Sequence, residues 1–304
     1  MTFVRDRTAP PPGRQRRPAA ATASGSLLIA ALGAGLLIAA LGAGLVAAAA
    51  AATAIAATPT NPATAPAKRA PKAAPAQPAS SPVIRPTPFS SGPLAATAPP
   101  GWAVQTLPKV ERRTRYDLVD DGGTLVLRAR ADASASSLRH GLLVDPKATP
   151  ILRWRWRTER VLQGSDMRTK EGDDYAARLY VFFDRDPDTM SLKERTLLRL
   201  GRARYGDQLP AAALCYVWDN RHPVGTIMDN AYTAFVAMVV ASSGDAQAGR
   251  WQTLQRDVNE DYRRAFNTDP PRIIGVAVSV DTDNTGESTT TWFGDIEFVA
   301  GGAR

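Results

Sequence analysis

Between Ile151 and Thr158 the chain reads Leu152-Arg153-Trp154-Arg155-Trp156-Arg157. Successive side chains of an extended strand point to opposite faces. Leu152, Trp154 and Trp156 therefore share one face, and Arg153, Arg155 and Arg157 share the other. Large aromatics beside a leucine belong in a core, whereas three arginines on one side need water, carboxylates or a ligand. A strand built this way is one half of a two-sided sheet.

The same grammar recurs over the C-terminal two-thirds. Short runs of β-formers separated by Gly, Asp, Asn and Pro predict strands at Tyr116–Val119, Leu125–Ala131, Leu142–Val144, Ile151–Thr158, Ala177–Phe183, Ala213–Trp218, Phe235–Ala241, Trp251–Asp257, Ile273–Val280 and Thr290–Val299. Strands at this spacing, without helical periods between them, predict an all-β, two-layer antiparallel β-sandwich of jelly-roll-like type rather than a parallel α/β sheet. Ser191 with Glu194 forms a capping box ahead of Leu192, Leu197, Leu198 and Leu200, with Gly206 as its stop, and a second short helix is expected over Glu260–Ala265. Both read as connections laid over a sandwich.

Charge separates this domain from what precedes it. Residues 1–100 hold nine of the 37 Lys/Arg and one of the 29 acids, so the remainder is neutral although the whole chain carries +8. The excess basic charge that would suggest nucleic acid thus lies outside the folded part, and a nucleic-acid-binding reading loses its main support. Five arginines (Arg5, Arg7, Arg14, Arg16, Arg17) precede an uncharged apolar run from residue 27 to 57. That pattern predicts export, as a cleaved signal peptide or as a membrane anchor, with the domain periplasmic or held on the outer side of the cytoplasmic membrane. The 12 prolines of residues 58–100 predict an extended, disordered Ala/Pro-rich linker, leaving 101–304 as the sandwich domain.

Thr114-Arg115-Tyr116, Leu152-Arg153-Trp154-Arg155-Trp156, Gly172-Asp173-Asp174 with Ala177-Arg178, Leu214-Cys215-Tyr216-Val217-Trp218 and Asp281-Thr282-Asp283-Asn284-Thr285-Gly286 occur in this order. The set resembles the uncharacterised bacterial family called domain of unknown function 3047, over roughly Trp102 to Phe298. The resemblance implies an exported single-domain protein and brings no known activity. The chain departs from the pattern at Asn267, where a glycine is expected.

Several groups are candidates for a site. Arg153, Arg155, Arg178 and Tyr180 lie on polar strand faces, Asp173 and Asp174 open the strand that carries Arg178, and Ser279, Asp281, Asp295 and Glu297 oppose apolar faces near the C-terminus. If these strands share a sheet, one face holds a polar groove suited to an oligosaccharide; the alternative is a set of ion pairs that solvates the face. Asp281, Asp283 and Asn284 match the first half of a calcium loop, but Thr285 stands at position five and Trp292 at position twelve, so the loop is not an EF-hand. A non-EF calcium site and a plain tight loop both fit. Cys215, the single cysteine, is expected buried and inert, and two histidines give no metal centre. The leading expectation is a binding module for a glycan or another polar envelope ligand. The alternatives are a glycan-cleaving enzyme using two of Asp173, Asp174, Asp281, Asp283, Asp295 and Glu297, and a structural or protein-interaction domain.

Overall fold

The computed structural model describes residues 82–107, 110–205 and 210–301. The apolar run 27–57, the linker up to residue 81 and Gly206 lie outside them. Among the described residues fourteen strands, numbered along the chain, form two seven-stranded sheets. The first holds β1 (Val83–Ile84), β3 (Arg115–Asp120), β4 (Leu125–Asp132), β6 (Ile151–Thr158), β11 (Gln252–Asp257), β13 (Ser288–Phe293) and β14 (Glu297–Val299). The second runs in the order β2 (Trp102–Gln105), β5 (Ser137–Val144), β12 (Ile273–Asp281), β7 (Tyr175–Phe183), β8 (Ala213–Asp219), β10 (Thr233–Ser243) and β9 (Ile227–Asn230).

The two-layer expectation holds, with one exception to antiparallel pairing: β8 and β10 are parallel. Leu152, Trp154 and Trp156 from β6 meet Leu179 and Val181 from β7, Tyr216 and Trp218 from β8 and Val276 and Val278 from β12 in one buried core. Two of these indoles find acceptors: Trp156 Nε1 donates to Ser242 Oγ at 3.0 Å and Trp218 Nε1 to the Gly244 carbonyl at 3.0 Å. The second sheet is also covered on its far side, where Tyr175, Tyr180, Phe182, Cys215, Val217 and Met238 form another apolar cluster. Strands buried on both faces explain the near-continuous apolar runs of β7, β8 and β10. Burial pushes the Cys215 thiol up to about 12, which keeps it protonated and inert.

Helix α1 (Leu192–Tyr205) starts at the expected capping box: Ser191 N donates to Glu194 Oε2 at 2.8 Å, and Glu194 N to Ser191 Oγ at 3.2 Å. Helix α2 (Val258–Phe266) is capped by Asp257, which accepts from the amides of Asn259 and Glu260. It ends on Asn267 in the left-handed region, φ 54°, at the position where a glycine is expected. Asn tolerates that conformation better than other side chains, so the turn is kept.

Two boundaries differ from expectation. Residues 82–100, assigned to the linker by proline content, belong to the fold: β1 pairs with β14, Phe89 is buried, and Ala95 and Ala96 hydrogen-bond to Leu118. The single strand expected over Thr290–Val299 is broken. Phe293 pairs with Trp156 and Glu297 with Arg153, so four steps on one strand match three on β6. That is a β-bulge at Gly294–Ile296, and it reverses the alternation on its N-terminal side. Phe293 turns into the core and Trp292 turns outward.

Candidate functional site

The expected single polar face does not form, because β6, β13 and β14 belong to one sheet and β7 and β12 to the other. Arg153, Arg155 and Asp295 lie on the outer face of the first sheet. Asp173, Asp174, Arg178, Tyr180, Asp281, Asp283 and Asn284 gather on the far side of the second. The six carboxylates of the enzyme alternative are divided accordingly, with Asp295 and Glu297 on the first sheet and the other four on the second.

The second-sheet group is buried, except for Asp283 and Asn284, which are half-buried. Register places Arg178 opposite Ser279 and Asp281 opposite Tyr175 on the β7–β12 pair. The guanidinium of Arg178, fully buried, lies 2.6 Å from Asp281 Oδ2 and 3.3 Å from Asp173 Oδ1, and stacks 4.6 Å from the centre of the Tyr175 ring. Asn230 donates to both oxygens of Asp173 at 3.1 Å. Asp174 does not pair with Arg178; its Oδ2 accepts from the amide and hydroxyl of Thr285 at 2.7 and 2.9 Å, and Asn284 lies 3.4 Å from its Oδ1. Burial pushes the carboxyls of Asp173 and Asp283 up to about 6, against the pull of Arg178, and raises Asp174 and Asp281 as well. At the proposed calcium loop the cation beside Asp281 is thus a guanidinium. Among the described residues no group of three or more His, Cys, Asp or Glu is arranged to hold a metal ion. Tyr180 is packed in the apolar cluster and is closed to a ligand from solvent.

The first-sheet face is open. Each arginine of β6 is flanked by the residues that register sets beside it. Arg153 stands between Gln255 and Glu297; its Nε donates to Gln255 Oε1 at 2.9 Å, and Glu297 is 3.9 Å away. The guanidinium carbon of Arg157 lies 4.4 Å from the centre of the Trp292 ring and 5.1 Å from that of Trp251. Asp121, from the β3–β4 turn, ties this stack together by accepting from Arg157 at 3.1 Å and from Trp251 Nε1 at 2.7 Å. Arg155 stands between Thr253 and Gly294, neither of which offers a charge. Its guanidinium rests 4.5 Å from the centre of the Trp251 ring. Among the described residues it makes no hydrogen bond or ion pair.

Beside this stack the bulge opens a groove of about 270 Å³, lined among others by Arg85, Arg153, Arg155, Asp295 and Glu297. Its volume falls just below the roughly 300–1,000 Å³ usual for ligand sites. Asp295 is held at the rim by Ser90, whose amide and hydroxyl donate to it at 3.0 and 2.6 Å. Farther along, Asp117 pairs with Arg128 at 2.6 Å and Arg130 at 3.4 Å, and the Arg128 hydrogen bond lowers the Asp117 carboxyl. Sequence reasoning missed Trp251, Trp292, Asp121 and Arg85. The signal for Trp292 is Gly294, because a glycine inside a strand pattern marks a bulge.

No curated protein matches the sequence. Among solved structures, the family 11 carbohydrate-binding module of the cellulosomal cellulase Lic26A-Cel5E of Clostridium thermocellum is 7% identical, with a TM-score of 0.34, covering 72% of this chain and 96% of that one. The family 30 module of a second Clostridium thermocellum cellulase is 11% identical, with a TM-score of 0.34 and the same coverage. The carbohydrate recognition domain of Emp47p is 11% identical, with a TM-score of 0.36, covering 74% of this chain and all of that one. A family model, described as a protein of unknown function, matches residues 100–297.

Proposed function

This chain belongs to the family described as protein of unknown function (DUF3047), and on that premise we propose that its sandwich binds an extended polar ligand, a glycan of the cell envelope, along the outer face of the first sheet. The observation that carries this reading is the Trp251–Arg157–Trp292 stack beside the groove at the bulge, joined to it by Arg155, which lies on Trp251 and lines the groove. A sugar ring presents C–H bonds on one side and hydroxyls at its edge. Half-buried indoles suit the first, and arginine and carboxylate side chains suit the second.

The apolar run 27–57 and the basic residues before it support export, with the domain carried beyond the cytoplasmic membrane. Calcium is proposed only for the 281–286 loop, where Oδ1 of Asp281 and Oδ1 of Asp283 lack hydrogen-bond partners. Calorimetric titration of the full-length chain with calcium chloride tests it; no heat above dilution removes it.

The binding reading is tested by screening the full-length chain against purified envelope polysaccharides and soluble oligosaccharides. Saturable binding that is lost in Trp251→Ala supports it. Absence of any saturable saccharide ligand overturns it.

A further inference from the structure

The three outward arginines of β6 have different surroundings, and the difference is set by register. Arg153 is engaged by Gln255 and Glu297, and Arg157 by Asp121 and two indoles. Arg155 has Thr253 on one side and Gly294 on the other. The nearby acid, Asp295, is already bonded to Ser90 through both of its oxygens. Arg85 enters the same groove one residue beyond the Ile84–Phe298 pair, and among the described residues its side chain also makes no hydrogen bond or ion pair. Two guanidiniums without acceptors therefore line one side of a groove whose acids are engaged elsewhere.

A face built only for solubility pairs its charges across strands, as Arg128 does with Asp117. A guanidinium presents a planar fork of donors that a carboxylate fills in a bidentate way. The stack on Trp251 holds that fork in place, so less side-chain freedom is lost on binding.

We infer that the groove selects an acidic saccharide, one whose sugar carries a carboxylate, and that Arg155, assisted by Arg85, receives that carboxylate while Trp251 and Trp292 carry the rings. This inference rests on the binding function proposed above. One charge-assisted contact contributes about 1.5–3 kcal/mol, which is roughly tenfold to a hundredfold in affinity.

The test uses calorimetry on the full-length chain with two neutral-pH ligands, a galacturonate hexasaccharide and cellohexaose. The expected result is that the acidic ligand binds at least about tenfold tighter, with an affinity that falls as salt is added. Arg155→Gln should bring the ratio of the two affinities toward one, whereas Arg263→Gln, on α2, should leave the ratio as it was. Unchanged melting in both variants excludes misfolding. Equal or tighter binding of cellohexaose, or an Arg155→Gln variant with its ratio intact, overturns acid selection while leaving glycan binding standing. Failure of both ligands to bind overturns the inference, and failure across the wider saccharide screen overturns the binding function itself.

Discussion

Gly294 and Arg155 occupy adjoining positions on the outer face of the first sheet, and a Cβ on Gly294 would come within 2.5 Å of both Cγ and Nε of Arg155. The arginine lies across the space that any other residue would fill. Its position over Trp251 therefore depends on the glycine as much as on its own strand.

Gly294→Ala is expected to push Arg155 away from Trp251. The backbone at Gly294 needs no left-handed conformation, so the cost is crowding rather than strain, about 1–3 kcal/mol of stability. Affinity for an acidic saccharide should fall about tenfold. Urea unfolding and calorimetry read the two effects separately.

Trp251→Ala removes the ring under Arg155 and beside Arg157, together with the donor to Asp121. Saccharide binding should weaken by at least about tenfold. Trp251→Phe keeps a ring without the Nε1 donor and should recover part of that loss. Equal losses in the two variants would assign the effect to the Asp121 hydrogen bond alone.

Arg178→Met leaves Asp173 and Asp281 buried without their cation. Breaking a buried pair by removing one partner costs about 3–5 kcal/mol. The variant should unfold at markedly lower urea, or fail to accumulate. The companion Asp281→Asn, which leaves Arg178 its Asp173 contact, should be milder.

The same cluster sets a pH dependence. The carboxyls of Asp173 and Asp283 are pushed up to about 6 by burial, above the ordinary 3.8. In this range the folded state keeps protons that the unfolded chain has released. Their contribution to stability is full below about pH 4 and is lost as pH rises through 6. The acids of two arginine pairs run the other way: Asp166, held low by Arg168, and Glu194, lowered to about 2 by the Ser191 amide and Arg185, lose theirs as pH falls below about 4. Thermal unfolding between pH 4 and 7 should show stability falling with rising pH, by on the order of 2 kcal/mol for each of the two carboxyls. Asp283→Asn should flatten that slope.

Much of the sandwich is legible because strand alternation maps directly onto faces. Leu152, Trp154 and Trp156 are core and Arg153, Arg155 and Arg157 face outward, as alternation dictates. Val276, Val278 and Val280 likewise face the core opposite Ser279 and Asp281. Which strands share a sheet is a matter of long-range pairing, and alternation within a strand carries no information about it. For that reason Arg178 and Arg155, similar in sequence context, end on different sheets, one buried and one open. Trp292 was hidden by the extra residue at the bulge, which inverts the alternation counted back from Asp295 and Glu297. The prolines of residues 82–100 suggested a linker, yet they flank Phe89, whose side chain joins the core.

The most direct measurement is a crystal structure of the full-length chain with a bound oligosaccharide. The expected density is a sugar ring against Trp251 or Trp292, with an acidic substituent at Arg155 in the groove beside Gly294. A saccharide seated on the second sheet, or at a sandwich edge away from these residues, would contradict the assignment of the outer face of the first sheet as the binding surface.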